Sequence, residues 1–415
     1  MPNKLKIIND PVYGFINIPS EIHFDIIQHP YFQRLRRLKQ LGLSYYVYPG
    51  ATHTRFEHAI GVMHLISLAI NEIRKKGKEI SKEEADAVLI AGLMHDIGHG
   101  PFSHTLEGAF FKKLNHEDLT LLYMNKMNDE FGGKLSLGIE IFQNKYKKAF
   151  LHSLVSSQLD MDRLDYLKRD SFYSGVSEGG IGTERIIKML RVVNDGLAVE
   201  EKGIYSVEQF IVARRIMYWQ VYLHKTVIAA EEMLKKAILR AKHECNNNGI
   251  FATPNLGYFL ENAYNEKFDL EASKNMKYTL EAFSKLDDSD IIVSLKEWIN
   301  HEDKVIAELS KRILNRDIFK IEISHEKFGA EKINLLKQKA KEKFRIKYED
   351  TDFFVFTDKI KNRAYSTDND ARINIILNSG EIYDIAKASD LKNISALSKT
   401  VEKYYLCYPK ELIEM

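Results

Sequence analysis

Apolar residues recur at helical spacing over most of the first three quarters of the chain, and several of these runs begin at recognisable caps. Thr54 and Glu57 have the spacing of a capping box, after which Ala59, Val62, Met63, Ile66, Ala69, Ile70 and Ile73 mark one apolar stripe. A second box, Ser81 with Glu84, opens a run through Val88, Leu89 and Leu93 that breaks at Gly98, Gly100 and Pro101. A third helix is predicted from about Leu151 to Arg169. On its polar side Gln158, Asp162, Tyr166 and Asp170 follow at four-residue steps, on one stripe within reach of a common ligand. A fourth is predicted from near Ser206, where Gln209 completes another box, and it carries Arg214, Tyr218 and Tyr222 in the same register. The two polar stripes are expected to face one pocket.

Beyond Asn246 to Asn248 the helical pattern resumes, then gives way after about Asp317 to mixed segments. Phe353 to Phe356 and Ile373 to Leu377 read as strands, and Asn378, Ser379 and Gly380 as a hairpin turn. The expected fold is mainly α, a helical catalytic domain over residues 1–315 with a smaller α+β C-terminal portion over residues 316–415. No internal repeat or low-complexity segment interrupts it.

Composition narrows the function classes. Lys plus Arg (60) nearly balances Asp plus Glu (58), so a net charge of +2 provides no global field for wrapping a polyanion. Nucleic acid is not expected as a partner, and the basic run Lys337 to Arg345 reads as a solvated helix face. Cys245 and Cys407 lie far apart with no zinc-like spacing, which favours a reducing cytoplasmic setting. Met1 to Asp10 has no signal-type apolar core, and no stretch approaches the roughly 20 apolar residues of a membrane span.

The chemistry concentrates in His95-Asp96-Ile97-Gly98-His99-Gly100-Pro101-Phe102-Ser103-His104, which packs three histidines and a carboxylate into ten residues. Imidazole and carboxylate together suit a borderline divalent metal such as iron, manganese, nickel or zinc, whereas magnesium prefers oxygen alone. Adjacent His95 and Asp96 cannot complete a coordination sphere. His58, early in a capped helix, and Asp162, on the polar stripe, are suited to the remaining positions, and the set leaves sites open for water.

The order His, then His-Asp, then Asp resembles the signature of the HD superfamily of helical metal-dependent phosphohydrolases. Phe32-Gln33-Arg34-Leu35-Arg36, Lys39-Gln40-Leu41-Gly42, Tyr46 to Ala51, Arg55-Phe56-Glu57-His58 and the His95 to His104 string are similar to the sterile-alpha-motif and HD-domain deoxynucleoside triphosphate triphosphohydrolases. The similarity runs from about Lys6 to Ala229 and more weakly to Lys320, without the sterile-alpha-motif domain. It implies His58, His95, Asp96 and Asp162 as metal ligands, Arg55 as a contact to the phosphate nearest the sugar, and His99, His104 and His116 as the acid and base groups. Gln40 and Leu41 would lie near the sugar and base, and Arg163, Tyr166, Asp170, Arg214 and Tyr222 would hold the triphosphate and sugar hydroxyl, with magnesium or manganese accompanying the triphosphate.

Arg163 stands where vertebrate relatives carry lysine, so the charge survives with a different geometry. Gln28 stands where nucleotide-activated relatives place a guanine-reading aspartate, although Lys6, Asn9, Gln33 and Arg36 match the regulatory pattern in type. The resemblance also implies a homo-oligomer, dimer or tetramer, with a regulatory nucleotide left open. His224 borders the nucleotide in this comparison, against core hydrogen bonding as the plainer reading. His23, His29, His53, His64, His152, His243, His301 and His325 read as surface or packing residues, and Tyr218 as structural.

The implied reaction is water attack at the innermost phosphorus, giving deoxynucleoside and inorganic triphosphate, with metal and Arg55, Arg163 and Arg214 neutralising the phosphates. Its rivals are an HD-type phosphohydrolase acting on another nucleotide or ester with stepwise phosphate release, and a nucleotide-sensing or single-stranded nucleic-acid-binding protein.

Overall fold

The Thr54–Glu57 box starts the helix Arg55–Lys75, whose Phe56, Ala59, Ile60, Val62, Met63, Leu65, Ile66, Ala69, Ile70 and Ile73 are all buried. The computed structural model describes residues 6–111, 114–247, 249–262, 276–367, 372–391, 394 and 397–413. Against the Arg55–Lys75 helix pack the helices Lys82–Met94 and Met161–Ser174, so that it forms the centre of the catalytic half. The Ser81 box closes as expected: Glu84 N–H donates to Ser81 Oγ at 3.1 Å and Ser81 N–H to Glu84 Oε2 at 2.8 Å.

The predicted Leu151–Arg169 helix is two helices, Ala149–Val155 and Met161–Ser174. Asp160 breaks it. Its buried carboxylate accepts the backbone N–H of Arg163 and of Ser157, each at 2.7 Å, which makes Asp160 the N-cap of the second helix. Two consequences follow. Gln158 leaves the polar stripe and instead exchanges hydrogen bonds with the backbone of Ser366. Asp162 moves into a first helical turn, where the positive end of the helix dipole favours its charged form.

The fourth helix begins at Ile204 behind Gly203, so Ser206 and Gln209 lie inside it and do not cap it. Its end departs from the α period: Tyr218–Tyr222 is a π-helical turn in which Leu223 N–H bonds Tyr218 O at 2.7 Å. The extra residue breaks the four-residue register between Tyr218 and Tyr222. The helix Lys225–Asn247 follows.

Strands are few and short. β1 (Ile7–Asp10) and β2 (Gly14–Asn17) form an antiparallel hairpin, and β3 (Leu190–Val193) and β4 (Gly196–Glu200) a second one that the helical reading of this region missed. In the C-terminal region, β5 (Lys320–Ser324), β6 (Phe356–Asn362) and β9 (Val401–Tyr408) make an antiparallel sheet in the order β5-β9-β6. Phe353 ends a 3-10 turn, so the predicted Phe353–Phe356 strand starts three residues late. β7 (Asn374–Ile376) and β8 (Ile382–Asp384) flank the expected hairpin turn, with Gly380 N–H bonding Leu377 O at 2.9 Å. β7 also pairs in parallel with β4 and thereby ties the C-terminal region to the helical one.

The basic run lies on the helix Ala330–Phe344, which buries Leu336 and Ala340 and leaves most of the run to solvent. Cys245 and Cys407 are free thiols, the latter buried. Among the described residues no helix is long and apolar enough to cross a membrane.

Glu231, on the Lys225–Asn247 helix, gives a pH-dependent contribution to stability. Burial pushes its carboxyl up to about 8 from 4.5, opposed to a lesser degree by a hydrogen bond with Thr105. Between those values the native state keeps a proton that the unfolded state releases, so the stabilisation present below 4.5 is lost as pH rises toward 8. Glu231→Gln, neutral throughout, is expected to exceed the parent by about 1–3 kcal/mol at pH 8 and to match it near pH 4.5, as read from urea melts. Equal melts at both pH values would refute the assignment.

Candidate metal centre and active site

Three elements converge on one cluster. His58 comes from the first turns of the Arg55–Lys75 helix, His95 from the C-cap of the Lys82–Met94 helix, and Asp162 from the start of the Met161–Ser174 helix. His58 Nε2 lies 3.2 Å from His95 Nε2 and 3.1 Å from Asp162 Oδ1, and His95 Nε2 lies 3.6 Å from the same oxygen. One ligand atom of each residue falls within 4.8 Å of the others, as a shared divalent cation requires. Asp96 abuts this group, with Oδ1 at 3.3 Å from His95 Nε2 and Oδ2 at 3.8 Å from His58 Nε2.

The groups behind the ligands make the fit chemical as well as geometric. His58 Nδ1 faces Asp165 Oδ2 at 2.7 Å, and His95 Nδ1 donates to Gly92 O at 2.7 Å. Each bond holds the proton on Nδ1 and turns Nε2 toward the cluster, the usual support for a metal-binding imidazole. Asp165 is itself fixed by Arg169, whose Nε and Nη2 each donate to it at 2.9 Å while Nη1 reaches Asp10 at 2.7 Å.

Gly61 makes this chain of groups possible. A Cβ there would sit 2.0 Å from Asp165 Oδ1 and 2.4 Å from Arg169 Nη2, so only glycine lets the two helices approach with the ion pair between them. Gly98 has the same role in the next layer outward, where a Cβ would meet the backbone of His116 and Thr120 at 2.3 Å.

Electrostatics follow the geometry. Burial disfavours a charged His58, yet hydrogen bonds to Asp162 and Asp165 outweigh it and lift its pKa to about 10. Burial likewise opposes ionisation of Asp162 and Asp96, but the neighbouring histidines, with Arg55 in the case of Asp96, hold both carboxyls below the usual range. A cation held between the Nε2 atoms and Asp162 would compete with protonation of the imidazoles, so its binding would release protons.

Arg55 ion-pairs with Asp96 and sends Nε and Nη2 to Ser103 Oγ at 3.1 and 2.6 Å. His99 Nδ1 lies 3.3 Å from Asp96 Oδ1, and its ring centroid is 4.0 Å from that of His116. His116 Nδ1 in turn meets Glu107 Oε1 at 2.8 Å. Two histidines backed by two carboxylates therefore stand beside the cluster, suited to moving a proton. The side chain of His104 lies outside the described residues.

The polar stripes meet as expected, with altered membership. Tyr166 and Tyr222 stack edge to face at 6.0 Å, Tyr218 packs on Tyr222 at 5.1 Å, and the Arg214 guanidinium lies 5.8 Å from the Tyr218 ring. Because of the π turn, Tyr222 donates its hydroxyl to Asp170 Oδ2 at 2.8 Å; the other Asp170 oxygen meets His53 Nε2, also at 2.8 Å. Arg163 pairs with Asp160, and Gln40 N–H bonds His53 O at 3.0 Å in the loop that also carries Leu41. Gln40 Oε1, Arg163 Nε and Arg214 Nε are buried without a hydrogen-bond partner among the described residues, which is costly unless a ligand supplies one.

Other expected residues are placed elsewhere. His224 Nδ1 accepts from Thr226 N–H at 3.2 Å at the start of the Lys225–Asn247 helix, a local backbone role. Gln33 and Arg36 hydrogen-bond each other at 3.0 Å, Arg36 lies over the Phe56 ring, and the Lys6 ammonium lies over Phe24. Asn9 is in β1 and Gln28 ends the Glu21–Gln28 helix. Sequence reasoning missed Asp165, Arg169, Glu107 and Asp10, and set His53 aside as packing. The one local signal was the i, i+4 spacing of Asp165 and Arg169, which occurs equally on solvated helix faces.

Residues 55–167 match the HD domain and residues 181–251 the HD associated region. A crystal structure of a phosphohydrolase from Bacteroides thetaiotaomicron is 52% identical and superposes with a TM-score of 0.93, over 98% of this chain and 100% of that one. The protein YwfO of Bacillus subtilis is 33% identical over 98% of this chain and 93% of its own length. The deoxynucleoside triphosphate triphosphohydrolase SAMHD1 homolog of Dictyostelium discoideum is 35% identical over 57% of this chain and 49% of its own length, so the chain spans about half of that relative.

Proposed function

Because this chain belongs to the HD-domain family of phosphohydrolases, we propose that it hydrolyses deoxynucleoside triphosphates to deoxynucleoside and inorganic triphosphate. The observation that carries the reading is the pair of buried guanidinium nitrogens, Arg163 Nε and Arg214 Nε, left without hydrogen-bond partners among the described residues, beside a cluster suited to a divalent metal. A triphosphate is the ligand class that satisfies both at once.

His58, His95, Asp96 and Asp162 would hold a divalent metal (iron, manganese, nickel or zinc), which would supply Lewis acidity and lower the pKa of water at the site. The rest falls to the chain's own side chains. Arg163 and Arg214 neutralise the outer phosphates, and Arg55, held in place by Ser103 and Asp96, meets the innermost one. The His99–His116 pair, oriented by Asp96 and Glu107, delivers a proton to the departing sugar oxygen. Tyr166, Asp170 and Tyr222 border the sugar, with Gln40 and Leu41 toward the base. The reading includes a homo-oligomeric assembly, a cytoplasmic setting and residues 316–415 as the smaller α+β C-terminal portion.

Purified protein incubated with each dNTP and manganese, with products resolved by anion exchange, tests the reaction. Deoxynucleoside with inorganic triphosphate is the expected outcome. Monophosphate or stepwise phosphate release moves the activity to another HD-type phosphohydrolase reaction, and no turnover with any nucleotide favours a binding role.

Arg163→Ala is expected to lower kcat/KM for dNTP by about 10- to 100-fold while manganese content stays at the parental level. Metal loss in that variant would contradict a phosphate role.

A further inference from the structure

Asp288 lies outside both matched family regions, at the start of the helix Asp288–Trp298, yet its carboxylate reaches the edge of the active site. It is 7% exposed. Oδ2 accepts the backbone N–H of Lys39 at 2.9 Å, and Oδ1 accepts the backbone N–H of Phe102, also at 2.9 Å. Lys39 precedes Gln40 and Leu41, and it bridges Thr54, the cap of the His58 helix. Phe102 precedes Ser103, whose hydroxyl accepts from Nε and Nη2 of Arg55.

The turn around Phe102 needs holding. Phe102 and Ser103 both have positive φ, 52° and 51°, a conformation that costs a non-glycine residue free energy unless its surroundings impose it. The segment ahead of Asp288 contributes too: buried Arg34 donates from Nε to Leu286 O at 2.9 Å and from Nη2 to His99 O at 2.7 Å. One turn, Leu286 to Asp288, is thus tied to the loop of Gln40, to His99 and to the turn of Ser103.

We propose that Asp288 is a positioning residue for the phosphohydrolase reaction, which acts through Phe102 and Ser103 to set Arg55 against Asp96 and against the Gln40–Leu41 loop. The assignment rests on the site proposed above. Burial also pushes the Asp288 carboxyl up to about 6, against the two amides and Lys39 that lower it, so the folded protein invests in placing this group here. Asparagine at 288 keeps the shape but turns an NH2 toward one of the two backbone N–H donors.

A double-mutant cycle tests the chain of contacts. Wild type, Asp288→Asn, Ser103→Ala and the double variant, each as the full chain with manganese, are assayed on the dNTPs and on bis(p-nitrophenyl) phosphate. Asp288→Asn and Ser103→Ala are each expected to lower kcat about 10-fold with KM changed less than about threefold, and the double variant to be no slower than the worse single. Multiplying losses, a KM-only effect or an unchanged Asp288→Asn would overturn the proposal. If Asp288→Asn melts more than about 10 °C below wild type, Asp288→Glu, which keeps the charge but carries both acceptors one methylene further out and so misplaces them, enters the cycle in its place with the same expected loss. If wild type hydrolyses the ester and no dNTP, the dNTP reading alone fails and the cycle is read on the ester; turnover of neither overturns both.

Discussion

Alanine at position 162 is expected to leave the protein folded, strip it of manganese and reduce turnover by about 1,000-fold or more. The Asp162 side chain is 27% exposed, so its removal opens no sealed cavity. What it removes is the only carboxylate oxygen within 3.6 Å of both His58 Nε2 and His95 Nε2 among the described residues. Without that charge the two imidazoles keep only Asp96 of the proposed ligand set to draw a cation between them, and its carboxylate is already paired with Arg55. Metal chemistry contributes several kcal/mol to phosphoryl hydrolysis, and that whole contribution goes with the ion. Plasma mass spectrometry for bound manganese and anion exchange for products check it together. Parental metal content or full activity would take Asp162 out of the ligand set. His58→Ala should give the same two losses, but it also leaves buried Asp165 short of a partner, so its fold is at greater risk.

The second large effect is expected one layer behind the ligands, at Asp165. Burial opposes its ionisation, but Arg169 and then His58 hold its pKa down to about 2. Asp165→Asn converts acceptors on both sides into a mixed amide and leaves the buried Arg169 guanidinium with Asp10 alone, at 2.7 Å. Breaking a buried ion pair by removing one partner costs about 3–5 kcal/mol. His58 also loses the charge that fixes its tautomer, and losses at such supporting carboxylates run to about 10- to 100-fold in metal affinity. Urea denaturation and manganese titration calorimetry measure the two effects separately. A variant as stable as its parent that binds manganese as tightly would show that the Asp165–Arg169 pair supports neither the fold nor the site.

The helices that carry the ligands were legible because caps and apolar period are local properties. The Thr54 and Ser81 boxes start their helices where expected, and they deliver His58 and His95 to the two sides of one interface. The third helix was misjudged because Leu154, Val155, Leu159 and Leu164 keep a helical apolar period straight across the break. Asp160 and Ser157 carried the contrary signal, since a Ser-x-x-Asp sequence before a helix is capping chemistry. The π turn at Tyr218–Tyr222 had no such signal. Its extra residue is stabilised by where Tyr222 points, toward Asp170, which lies 52 residues earlier in the chain.

By itself the sequence determined the mainly helical fold and the His-Asp pair at a helix end, because each depends on neighbours within about one or two helical turns, while its motifs carried the resemblance to the HD phosphohydrolases. Tertiary structure alone decided which carboxylates stand behind the histidines and which backbone turns are tied together. Asp165 meets His58 across 107 residues, and Asp288 meets Phe102 across 186. A carboxylate on a helix is locally the same whether it faces water or a buried imidazole; only the approach of two helices, close enough at Gly61 to exclude a single Cβ, makes the difference.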